Sequence, residues 1–174
     1  MYPRDLDDPM LSALLGRSRS LFAQDVEANA AKLSDIVSQS RILVVGAAGS
    51  IGQAFVKQLL PFRPKALHLV DLNENMLVEL VRDLRSGDGW LPADFATYSI
   101  DFSGPEFLAM ANAAGPFDAF LNFSALKHVR AERDVYSLLR MVEVNVAALD
   151  RCLARASALG FARGQLEVEL NAHQ

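Results

Sequence analysis

The heptapeptide Gly46-Ala47-Ala48-Gly49-Ser50-Ile51-Gly52 is the feature that most constrains the fold of this chain. It follows Ile42-Leu43-Val44-Val45, a continuous apolar run of the kind found in strands buried on both faces. It leads into a helical pattern from Ser50 to about Leu60, closed by Pro61. Three glycines between a strand and a helix remove the Cβ atoms that would block a tight turn, a nearby phosphate or helix–strand packing. The unpaired N–H groups of the helix start attract an anion. The context therefore predicts a seat for a pyrophosphate, with Gly46, Gly49, Ser50, Ile51 and Gly52 as its candidate contacts. Ser50 is expected to cap the helix or to touch phosphate.

Downstream, strand and helix patterns alternate. Ala66–Val70 reads as a second strand ending at Asp71, and Glu74 to Arg85 as a helix with Leu77, Leu80, Val81 and Leu84 on one face. Phe95 to Ile100 reads as a third strand ending at Asp101, followed by a short helix from Glu106 to Ala113. Ala119–Leu121 reads as a fourth strand ending at Asn122. A long helix then runs from about Val135 to Leu159, stopped by Gly160. Such alternation implies a doubly wound parallel α/β sheet with right-handed crossovers. The expected strand order is 3-2-1-4, a Rossmann-like arrangement that is truncated after the fourth βα unit.

Three regions are expected: a helical N-terminal extension over 1–39, the α/β unit over 40–163 and an atypical tail over 164–174. In the extension, Ser20 is placed to cap a helix on which Phe22, Val26, Ala30, Leu33 and Val37 share a face, after a shorter helix around Met10–Leu15. That helix either covers the sheet or packs on a partner subunit. The tail, Gly164–Leu170, alternates apolar and charged residues. This suits a half-exposed edge strand and poorly continues a buried parallel sheet.

Asp71 stands nineteen residues after Gly52, at the end of the second strand. A carboxylate there accepts hydrogen bonds from ribose hydroxyls and repels a 2′-phosphate, so NAD is expected, with NADP as the alternative. Capping of the helix at Glu74 is the plainer role for Asp71. Asp101 lies on the same carboxyl edge and is either an adenine contact or a turn residue.

The 174 residues carry a net charge of −4, which speaks against a nucleic-acid surface. Cys152, the single cysteine, has no activating histidine nearby in sequence and reads as a buried thiol, in keeping with a reducing cytoplasm. No apolar run approaches a membrane span, and no Cys/His/carboxylate spacing suggests a metal. A soluble cytoplasmic protein is expected, with a homo-oligomer open.

The G-x-x-G-x-x-G spacing resembles that of the extended short-chain dehydrogenase/reductases. The stretch Asn122-Phe123-Ser124-Ala125-Leu126-Lys127-His128-Val129 is similar to the strand-four signature of CapD-like nucleotide-sugar 4,6-dehydratases and epimerases of polysaccharide biosynthesis. Leu67-His68-Leu69-Val70-Asp71, Asn73-Glu74-Asn75 and Val144-Asn145-Val146 fit that group too, so the resemblance spans roughly residues 20–162. It implies that the run Asn122, Phe123, Ser124 and Ala125 lines the nicotinamide side and that Asn145 holds the middle of the following helix. It also implies that Lys127 and His128 face a nucleotide-sugar substrate. Arg130 and Arg133 add positive charge there, though with Glu132 and Asp134 interleaved the segment also reads as a solvated loop.

The family resembled uses a tyrosine with a lysine four residues later. Here Tyr2 is followed at that spacing by Leu6, Tyr98 by Phe102 and Tyr136 by Arg140, so no catalytic residue is assigned. Tyr136 reads as a surface or packing residue. The chain is thus expected to be the cofactor-binding portion of a longer enzyme, inactive alone. The alternative is a non-catalytic NAD-binding regulatory or interaction module.

Overall fold

The computed structural model describes residues 9–19, 21–87, 90–126, 134–154 and 166–167. Helices α1 (Pro9–Leu15) and α2 (Ala23–Gln39) precede β1 (Arg41–Val45). The chain continues through α3 (Ser50–Leu59), a 3-10 turn (Leu60–Phe62), β2 (Ala66–Asp71), α4 (Glu74–Ser86) and β3 (Asp94–Ser99). Next come α5 (Pro105–Ala114), β4 (Ala119–Asn122), α6 (Val135–Val142) and α7 (Ala148–Ala154).

All described strand pairings are parallel, and the order 3-2-1-4 is as expected. One short strand extends it. β5 (Leu166–Glu167) pairs with β4, Phe120 opposite Leu166 and Leu121 opposite Glu167. The sheet therefore reads β3-β2-β1-β4-β5 and is not closed off at the fourth strand. At these two residues the tail forms the edge strand that its alternation suits, paired parallel to β4.

The two-residue period of β1 divides the core between two faces. Ile42 and Val44 join Leu67 and Leu69 beneath Val56 and Leu59 of α3 and Leu77, Leu80 and Leu84 of α4. Leu43 and Val45 join Val70 and Phe120 beneath Phe107 and Ala111 of α5 and Ala148 and Cys152 of α7. On α2, Val37 packs against the first of these clusters, as a covering helix should, while Phe22 is exposed. Phe22 is also the N-cap residue and makes no side-chain cap; Ser20, the expected cap, lies outside the described residues.

A polar cluster ties the amino edge of the sheet. Arg41 ion-pairs with Asp94 across β2 and donates to the carbonyls of Ala114 and Pro116, each at 2.8 Å. Buried His68 lies 2.8 Å from the Asp94 Oδ1, with the Tyr98 hydroxyl 3.3 Å from its other ring nitrogen. The hydrogen bond from His68 holds the Asp94 carboxyl below its ordinary range despite partial burial, and Arg41 adds to this.

The helix expected from Val135 onward is not uniform. Residues Glu143–Ala147 form a π turn between α6 and α7, and residues 155–165 lie outside the described set. π turns widen a helix locally and re-aim its side chains. Here the widened turn carries Asn145.

Candidate functional site

The carboxyl ends of β1, β2 and β4 and the start of α3 converge on a cleft of about 490 Å³. Its floor is the glycine loop. Gly46 has φ +71°, and a Cβ there would meet the Ser124 nitrogen at 2.5 Å and the Phe123 carbonyl carbon at 2.6 Å. At Gly52 a Cβ would lie 2.1 Å from the Gly46 oxygen. These two glycines serve backbone approach within the protein, whereas a Cβ on Gly49 would meet nothing closer than 3.4 Å.

The loop's donors divide into two groups. The N–H groups of Gly46 and Ala47 bond the Val70 carbonyl at 2.9 and 3.2 Å, and that of Gly49 bonds the Gly46 carbonyl at 3.2 Å. That of Ala48 bonds the Asp71 Oδ2 at 2.9 Å. Those of Ser50, Ile51 and Gly52 precede the first closed helical turn, which runs from the Gln53 N–H to the Gly49 carbonyl at 2.8 Å. An anion seated on the loop meets this second group. Ile51 thereby contributes backbone, and its side chain is partly exposed. Ser50 does not cap; Gly49 is the N-cap residue, without a side-chain bond.

Asp71 reaches the cleft from the end of β2. Its Oδ2 accepts from Ala48, and its Oδ1 accepts from the Asn73 N–H at 2.9 Å, so the carboxylate is fixed beside the loop with lone pairs to spare. Helix capping falls to Asn73, whose Oδ1 accepts from the Met76 N–H at 3.1 Å; the capping role considered for Asp71 is therefore corrected.

Of the remaining expected residues, Asp101, Ser124 and Ala125 line the cleft with Gly46, Gly49 and Asp71. Asn122 works beneath it, its Oδ1 accepting from the Ser124 N–H at 2.9 Å and the Ser124 hydroxyl at 2.5 Å. Asn145 clamps the backbone of Leu126: its Oδ1 accepts from the Leu126 N–H and its Nδ2 donates to the Leu126 carbonyl, both at 2.9 Å. It shapes the β4 loop, while its neighbour Val144 lines the cleft. Lys127 and His128, like Arg130 and Arg133, lie outside the described residues.

Phe123, within the run expected to line the cofactor, forms an apolar wall of the cleft. Sequence reasoning missed the other wall residues, Leu72, Met76, Ile100 and Phe102, and the cleft's one described arginine, Arg140. Phe123 is braced by Phe55, with ring centroids 5.1 Å apart. Arg140 ion-pairs with Asp101 and donates to the Ser103 hydroxyl at 2.9 Å. Burial pushes the Asp101 carboxyl up, but hydrogen bonds from Ser103 and the Arg140 guanidinium outweigh it and hold the group below its ordinary range. Tyr136 is 79% exposed on α6, as expected of a surface residue. Among the described residues no cluster of His, Cys, Asp or Glu could hold a metal, and no helix is long and apolar enough to cross a membrane.

A parallel sheet of this order, with a glycine loop at its first βα turn and an acidic residue ending β2, is a doubly wound Rossmann-like architecture, a fold shared with solved short-chain dehydrogenases. The chain belongs to the polysaccharide biosynthesis protein family, whose model matches residues 42–163. It is 44% identical over 54 residues to an uncharacterized membrane protein, MJ1061, of Methanocaldococcus jannaschii, a match covering 31% of this chain and 16% of that protein.

Among solved structures, Pen from Bacillus thuringiensis superposes with a TM-score of 0.59 at 18% identity, over 71% of this chain and 36% of that one. Epimerase Mth375 from Methanothermobacter thermautotrophicus gives 0.54 at 16% identity, over 75% and 35%. A protein from Haemophilus influenza solved with bound NAD gives 0.58 at 14% identity, over 74% and 53%. The chain thus spans about a third to a half of these structures, and less of the curated relative.

Proposed function

We propose that this chain binds a nicotinamide dinucleotide, NAD in preference to NADP, as the cofactor-binding part of a nucleotide-sugar 4,6-dehydratase or epimerase of polysaccharide biosynthesis. The observation that carries the reading is the fixed Asp71 carboxylate between the glycine loop and the apolar walls of Leu72, Met76 and Ile100. Pyrophosphate on the first turn of α3 would place the adenosine ribose against Asp71 and the base in the apolar slot. The loop donors left open by the protein's own hydrogen bonds fit such a group. When bound, the cofactor supplies reversible hydride acceptance from the sugar's C4.

The chain's own contribution is binding and orientation. Ser124 and Ala125 form the wall beyond the loop, held there by Asn122 and by the Asn145 clamp on Leu126. No Tyr-x-x-x-Lys occurs in the sequence. Tyr98 is engaged with His68 at the amino edge, and Tyr136 points to solvent, so neither offers the proton transfer the reaction requires. Alone, the chain is therefore expected to bind cofactor without turnover.

Calorimetry of the 174-residue chain with NAD, NADP and a UDP-sugar tests this. Binding of NAD at least tenfold tighter than NADP, with Asp71→Asn narrowing that gap, is the expected result. Absence of binding by either dinucleotide at millimolar concentration would refute the cofactor assignment, and turnover of the UDP-sugar would refute the division of labour. A non-catalytic module is the second reading. It is favoured by the exposed apolar side chains Val135, Leu139, Val142 and Val146 along one helix, a surface suited to protein contact. NAD-loaded chain that ignores nucleotide sugars would favour it.

A further inference from the structure

Asp101 ends up differently employed from a free acceptor at a base-binding slot. Its Oδ1 accepts from both the Ser103 N–H at 2.8 Å and the Ser103 hydroxyl at 2.7 Å, and its Oδ2 receives the Arg140 guanidinium. A carboxylate offers about four lone-pair sites, and three are already taken. Arg140 is differently placed. It comes from α6, across the cleft from Met76, and is anchored at one terminal nitrogen by Asp101 and at the other by the Ser103 hydroxyl. It remains 43% exposed and lines the same cavity as Leu72, Met76 and Ile100.

A guanidinium anchored through its edges keeps its flat face available, always charged and weakly hydrated, which suits stacking on an aromatic base. A free carboxylate would instead read the exocyclic amino group of adenine as a donor.

We propose that Arg140, aimed by Asp101 and Ser103, is the side chain that grips the base of the dinucleotide, and that Asp101 acts through Arg140 instead of on the ligand. The inference rests on the cofactor reading above and deepens it. Its consequence is a specificity that a direct Asp101 contact could not produce. A base held by stacking and an apolar slot is indifferent to the amino group at C6, whereas a base held by Asp101 depends on it.

The test compares NAD with its deamino form, in which hypoxanthine replaces adenine and a carbonyl oxygen stands where the amino group was. In the unmodified chain the two should bind within threefold of each other. Arg140→Leu should weaken both by about tenfold, the range of a partly desolvated cation–π contact, with far-UV circular dichroism unchanged. Asp101→Asn, which removes the charge that aims Arg140, should weaken both by a common factor and leave their ratio near one.

Deamino-NAD bound at least tenfold more weakly by the unmodified chain, with Asp101→Asn erasing the difference, would assign the amino group to Asp101 and overturn the proposal. So would unchanged affinity in Arg140→Leu. Binding of neither dinucleotide to the unmodified chain would instead remove the cofactor reading itself, and this inference with it.

Discussion

Replacing Gly46 with alanine tests whether the loop's glycines serve the protein or the ligand. Alanine at φ +71° must hold a left-handed conformation, at a cost of about 1–2 kcal/mol for an L residue. Its Cβ would also sit 2.5 Å from the Ser124 nitrogen and 2.6 Å from the Phe123 carbonyl carbon. Both are backbone atoms at the end of β4, where the Phe123 N–H bonds the Val45 carbonyl at 2.8 Å, so neither can rotate away. Relief requires β4 to move off β1, a repacking of the kind that costs about 1–3 kcal/mol. Together these come to about 2–5 kcal/mol, a large part of the roughly 5–15 kcal/mol that typically separates folded from unfolded. For a chain of this size the melting temperature should fall by about 4–20 °C.

Gly49→Ala is the internal control. Gly49 has φ −66° and only an ordinary contact at 3.4 Å, so stability should stay within about 0.5 kcal/mol while a phosphate approaching the loop meets a new methyl. Urea titrations followed by circular dichroism, with dinucleotide titrations alongside, separate the two effects. A melting temperature for Gly46→Ala within about 2 °C of the parent, or equal destabilisation by Gly49→Ala, would refute the reasoning.

Asn145→Leu should cost about 1–3 kcal/mol, because it leaves both the N–H and the carbonyl of Leu126 without their partner, and amide exchange at Leu126 should accelerate. Unaltered exchange there would show that the clamp is not what orders the loop. The depressed Asp94 carboxyl, hydrogen-bonded by His68, contributes stability present above its ordinary value of 3.8 and lost as pH falls through its lower folded value. Acid unfolding curves of Asp94→Asn should therefore lack part of the steep loss seen below about pH 4, and superimposable acid limbs would contradict the assignment. Burial pushes the Cys152 thiol up to about 11, so iodoacetamide at pH 8 should label it only after unfolding in urea. Rapid labelling of the native chain would show that the α7 packing opens.

The features legible in the sequence are those whose partners lie close along the chain or in a fixed relation to a strand end. The glycine loop needs only β1 before it and α3 after it. Asp71 needs only to end β2, and the strand order follows from alternation of elements. Asn73 stands beside the more conspicuous Asp71, though its offset from Met76 is an ordinary capping signal.

The Arg140–Asp101 pair joins residues 39 apart in sequence, and nothing local to α6 marks Arg140 as belonging to the cleft. The cluster of Arg41, His68, Asp94 and Tyr98 is likewise invisible until three strands take their register, because each of its members alone resembles a strand-end or surface residue. The π turn at Glu143–Ala147 was hidden by helical periodicity, which continues on either side of it. Leu166 and Glu167 pair parallel with β4 at the sheet edge, a pairing that depends on Phe120 and Leu121 more than forty residues earlier.

The division of labour among the loop's donors has a kinetic consequence. Since Gly46, Ala47, Ala48 and Gly49 spend their N–H groups within the protein, the curve of the backbone is set before any ligand arrives. The pyrophosphate of the proposed cofactor would meet a glycine loop whose internal hydrogen bonds are already made. Association should proceed as a single encounter step whose rate responds to salt and viscosity, without a slow isomerisation behind it.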